Sequence, residues 1–131
     1  MAYLIDTDVL IDVSRNNEAA IDYLDKLDDF WTMSIITALE LIVGARNKKE
    51  VTQIDQLVAG YSAVPLTSEI GNSSYGLLRQ FAKSHGLRVF DSLIAATAIE
   101  ESLTLVTRNK KHFQMISNLQ LQIPSYRSHG S

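Results

Sequence analysis

The sequence contains no cysteine, so disulfides and thiolate metal sites are excluded and a reducing cytoplasm suits the chain. Long uninterrupted apolar runs are also missing. The N-terminal stretch MAYLIDTDVLIDVSR is broken by Asp6, Asp8 and Asp12 and carries no basic leader, so neither a signal peptide nor a membrane span is expected. Positive charge is not in excess: 12 Lys and Arg against 15 Asp and Glu leave a net charge of -3, which gives no global pull toward nucleic acid. No low-complexity or highly charged segment argues for disorder. The motifs G-x-x-x-x-G-K-[ST] and G-x-G-x-x-G are absent, so dedicated nucleotide binding has no support. The length of 131 residues fits one compact domain, assigned here to residues 1–125, with 126–131 as a flexible tail.

What is present is an alternation of short apolar stretches and helical patterns. Tyr3 to Ile5 read as a short buried strand ending at DTD, after which VLIDVSR has helical spacing. Residues 18–29 place Ile21, Leu24 and Leu27 on one face of an amphipathic helix. FWTMSII is β-rich, TALELIVGARN is helical with Gly44 near its end, and KKEVTQIDQLVAGY forms another helix stopped near Gly60. SAVPL is a strand candidate weakened by Pro65. A helix from Ser68 to His85 ends at Gly86; the next, Ser92 to Glu100, is small or apolar nearly all round and therefore buried. LTLVT and LQLQI supply the last strands. The expected fold is α/β, with a parallel sheet between two layers of helices.

In such sheets the functional crevice lies beyond the C-terminal strand ends. Asp6 sits where the first strand stops. Asp6 or Asp8 caps the following helix, and Asp8, directly before VLI, is the better placed, which leaves Asp6 for function. Thr37 and Glu40 match the T-x-x-E capping box, yet Glu40 in a first helical turn also reaches the same sheet edge. Asp91 opens the buried helix without a Glu or Gln three residues on, so a simple N-cap competes with a site role. Asn109, after the strand LTLVT, starts a turn or offers a neutral oxygen to a metal. Three carboxylates at corresponding strand ends form a like-charge cluster that cations must neutralise, and all-oxygen donors suit Mg²⁺ or Mn²⁺. Such ions support phosphodiester hydrolysis.

Two basic clusters, GARNKKE with Arg46 and Lys48 and TRNKKHF with Arg108 and Lys110, are local candidates for phosphate contact; the first also suits a helix C-terminus. His85, His112 and His129 show no metal-pair or triad spacing. His112 is placed to approach the site, or to form with Phe113 a turn packed on the core.

Four segments in order, LIDTDVLID, ALELIVGAR, FDSLIAATA and LVTRNKKHF, make the chain resemble PIN-domain ribonucleases of the VapC toxin type, over nearly its whole length. The resemblance implies a three-layer α/β/α fold with a short, mostly parallel twisted sheet. It also implies an Mg²⁺ or Mn²⁺ site, endonucleolytic RNA cleavage and a cytoplasmic toxin of a type II toxin–antitoxin pair. The family's first three acids fall on Asp6, Glu40 and Asp91. Its fourth position, often Asp, falls on Asn109, which weakens the case for a second ion. Thr7 and Thr107 stand where hydroxyls would orient metal-bound water. A homodimer is implied, with a VapB-type antitoxin whose tail occupies the acidic groove and builds a higher assembly. Two other readings compete. One is a catalytically weak PIN-like module that binds RNA or protein. The other is a phosphoacceptor receiver, against which SAVPL ends without an Asp.

Overall fold

In the computed structural model, residues 2–126 are described. The element order is β1 (Tyr3–Ile5), α1 (Thr7–Ser14), α2 (Glu18–Asp25), β2 (Trp31–Thr32), α3 (Ile35–Gly44), α4 (Lys48–Tyr61), α5 (Ser68–His85), α6 (Val89–Glu100), β3 (Thr104–Val106), α7 (Lys110–Phe113) and β4 (Leu121–Gln122). The four strands form one parallel sheet in the order β2-β1-β3-β4. Tyr3 faces Trp31 on one side and Thr104 on the other, and Leu105 faces Leu121.

Alternation along the two central strands builds the layers. Leu4 and Leu105 join one buried cluster with Ile94, Ala96 and Phe113, whereas Tyr3, Ile5 and Val106 join another with Val9, Leu10 and Leu41. The sheet is therefore covered on both faces, as parallel sheets require, and the three-layer α/β/α expectation is met. Ala95, Ala96 and Ala98 are fully buried on α6, where a missing side-chain bulk lets the helix approach the sheet. α6 also packs along α5. Gly86 ends α5 with φ 69° and donates its N–H to the Ala82 carbonyl, the left-handed closure that favours glycine.

Several boundaries differ from the sequence reading. β2 has only two residues because Ser34 caps α3, its hydroxyl accepting from the Ile36 N–H at 3.0 Å; the β-branched pair Ile35 and Ile36 is thereby drawn into a helix. SAVPL contributes a single parallel bridge, Ser34 to Val64. The helix expected over 18–29 stops at Asp25, and the one expected from Ser92 begins at Val89. Tyr126, expected to begin the flexible tail, is half-buried and hydrogen-bonded to Asp12; the rest of that tail, with His129, lies outside the described residues. Among the described residues, no helix is long and apolar enough to cross a membrane.

The close approach of α6 makes one outcome specific. Replacing Ala96, which has no exposed surface, by Leu overpacks the interface and lowers stability by about 1–3 kcal/mol, measured by urea denaturation.

Candidate active site

The parallel order of β1 and β3 brings residues 6 and 107, one past each strand end, side by side. The Asp6 N–H donates to the Val106 carbonyl at 2.9 Å. Its carboxylate then accepts from the Thr7 N–H at 2.8 Å and from the Thr107 hydroxyl at 2.7 Å. Thr107 is fully buried, and its hydroxyl oxygen also accepts from the Asn109 N–H at 3.0 Å. From α3, Glu40 reaches the same place: the Thr7 hydroxyl donates to Glu40 Oε1 at 2.6 Å and lies 3.0 Å from the Thr37 hydroxyl. From α6, Asp91 faces the cleft with His112 Nδ1 3.3 Å from its Oδ2. Asp6, Thr7, Asp8, Glu40, Asp91, Asn109 and His112 thus line one cleft of about 500 Å³.

The capping assignments reverse. Asp6, not Asp8, caps α1, and it lines the cleft as well, so capping and site placement coincide. Asp8 instead holds the β3–α7 connection, accepting from the Arg108 N–H at 3.0 Å. The T-x-x-E match is not a capping box: with Ser34 as cap, Thr37 lies inside α3 and is buried, and Glu40 stands in its second turn. Asp91 is the third residue of α6 rather than its cap; that position belongs to Arg88, whose side chain makes no capping bond.

The acids crowd in partly dry surroundings. Burial, then the charge of Asp8, push Asp6 up to about 7, against the opposing hydrogen bonds from Thr107 and Thr7. Burial raises Asp8 and Asp91 too, the latter countered by His112 and Arg88. The donors are carboxylate and hydroxyl oxygens, the chemistry hard divalent cations prefer, and their mutual repulsion is what such a cation relieves. Among the described residues, no three acids or histidines form a ready-made ion cage. Glu40 is engaged by Thr7 and Asp91 is drawn to His112.

The basic candidates do not converge on the cleft. The Arg46 guanidinium donates to Glu50, with Nε 2.7 Å from Oε2, and holds that carboxyl down at about 2. Arg108 turns toward Asp12, its Nη1 3.4 Å from Oδ2. Lys48 and Lys110 are exposed and stand apart from the cleft lining. Arg88, at the cap position of α6, does line it, and its place three residues before Asp91 was the available signal. Asp8 was set aside as a cap although it stands two residues from Asp6.

A model of the PIN domain matches residues 3–118. The chain belongs to the PIN-domain family. Within that family it is similar to Ribonuclease VapC10 of Mycobacterium tuberculosis, at 34% identity over 129 residues covering 95% of this chain and 96% of the relative. The structure of VapBC2 from Rickettsia felis, bound to a DNA fragment from the promoter, superposes with a TM-score of 0.80 at 27% identity, covering 94% and 98% of the two chains. VapBC-1 from nontypeable Haemophilus influenzae gives a TM-score of 0.78 at 26% identity, with the same coverage. These relatives place this PIN domain in the VapC type.

Because burial pushes Asp6 from its ordinary 3.8 up to about 7, its charge destabilises the ion-free fold fully above pH 7, and the penalty fades as pH falls through about 7 toward 4. Asp6→Asn keeps the cap and is expected to stabilise the chelator-treated protein at pH 8 by about 1–2 kcal/mol. At pH 5 the gain shrinks. Thermal melts at both pH values check this.

Proposed function

We propose that this PIN domain is a metal-dependent endoribonuclease and the toxin of a type II toxin–antitoxin pair, acting in the cytoplasm. The observation that carries the reading is the meeting of Asp6, Glu40 and Asp91, from three separate elements, in one cleft. Support for RNA as substrate comes from the relatives named as ribonucleases, and support for an antitoxin partner from neighbours solved as VapBC assemblies. An apolar groove lined by Ile36, Leu39, Val43 and Phe90 adjoins the cleft through Glu40, which suits a protein partner of the VapB type. A homodimer, and a higher assembly with the antitoxin, belong to the same proposal.

Asp6, Glu40 and Asp91 would hold Mg²⁺ or Mn²⁺. When bound, such an ion polarises a phosphoryl oxygen and lowers the pKa of water. The chain's own residues do the rest. Thr107 keeps Asp6 oriented through its 2.7 Å hydrogen bond, and Thr7 keeps Glu40 oriented through its 2.6 Å one. Asn109 lines the cleft as a neutral oxygen donor. Arg88, exposed at the rim, offers a guanidinium to an RNA phosphate, the role the sequence reading gave to Arg46, Lys48, Arg108 and Lys110. His112 pairs with Asp91 and biases its carboxylate toward the ionised form.

Asp6→Asn, Glu40→Gln and Asp91→Asn are each expected to lower the rate of RNA cleavage at least about 10²-fold, the scale of losing a Lewis acid's charge stabilisation, and to relieve growth arrest on expression. A chelator is expected to abolish cleavage, and added Mn²⁺ to restore it. Folded variants that cleave as fast as the wild type would overturn the reading.

A further inference from the structure

Outside the cleft, a second polar network joins Tyr126 to Asp12 and Arg108. Tyr126 lies beyond residues 3–118, the part matched to the PIN family. Its hydroxyl donates to Asp12 Oδ2 at 2.9 Å. The same oxygen receives Arg108 Nη1 at 3.4 Å, and the Arg108 guanidinium lies over the Tyr126 ring at 5.8 Å from its centroid. The Tyr126 phenol is pushed upward by burial and by its bond to Asp12, so it remains a donor throughout the working pH range. The Arg108 side chain is thus clamped between a carboxylate of α1 and an aromatic ring from the chain after β4.

Arg108 is also the middle residue of the three that leave β3. Its N–H is held by Asp8, the residue before it holds Asp6 through a hydroxyl, and the residue after it lines the cleft. α1, capped by Asp6, therefore grips this connection twice, at the backbone through Asp8 and at the side chain through Asp12. Tyr126 closes the grip from outside.

We infer that Tyr126 is a positioning residue for the active site, acting through Asp12 and Arg108 to fix Arg108 and Asn109 in the connection between β3 and α7. The inference rests on the nuclease reading only for its kinetic arm. Its structural arm is amide hydrogen exchange on the full chain, which needs no activity.

In Tyr126→Ala, the Arg108 and Asn109 amides exchange about tenfold faster, while the Leu105 and Thr107 amides, bonded to the Gln120 and Gln122 carbonyls of the β4 side, keep their protection. Asp12→Asn behaves likewise. Tyr126→Phe, which retains the ring and serves as the well-folding variant, falls between Ala and wild type. On an RNA substrate kcat drops about tenfold in Tyr126→Ala with KM changed less than about twofold, the signature of misplaced rather than missing groups. Unchanged exchange at Arg108 and Asn109 in both Tyr126 variants overturns the inference, as does a uniform loss of protection that includes Leu105 and Thr107. If no variant or wild-type protein cleaves RNA, the nuclease reading fails while the exchange result still decides the role of Tyr126.

Discussion

The hydrogen bond between Thr107 and Asp6 is the contact on which the site depends. It joins residues 101 positions apart in sequence, and it exists because β1 and β3 are parallel neighbours in register, so their ends arrive together. A carboxylate that is 5% exposed is held in place by donors that favour its charged form, against burial and a second acid that oppose it. The site is costly in stability by construction, and the two covered faces of the sheet supply the rigidity that keeps it assembled.

From that anchor the other groups follow by short covalent reach. α1 starts at Thr7, whose hydroxyl meets Glu40 of α3. The connection after β3 returns to α1 through Asp8. α6 brings Asp91 in its first turn, and α7, one turn long, brings His112. Asp6, Glu40 and Asp91 arrive on different elements, so none of the three can be displaced without moving a packed layer.

Much of this was legible in the sequence because period and composition report burial. Tyr3–Ile5, the α4 and α5 spans and the alanine-rich α6 were readable because their apolar positions are the ones that pack. Asp6, Glu40 and Asp91 stood out as charges among apolar neighbours. What stayed hidden was tertiary in origin. Ser34 takes the cap that Thr37 appeared to offer, while Thr37, itself buried, meets the Thr7 hydroxyl instead. The first turn of α6 was invisible because its cap position holds Arg88, which makes no side-chain capping bond and so gives no start signal. Arg46 and Arg108 looked free for phosphate, but intramolecular carboxylates claim both. Charge in a sequence has no address until the fold supplies one.

The shortness of the outer strands has a consequence of another kind. β2 and β4 have two residues each, so the sheet presents little unpaired backbone along either margin. A longer margin would invite strand addition from a neighbouring molecule. With both margins cut short, association through backbone pairing is disfavoured, and recognition falls to side chains and grooves, where it can be selective.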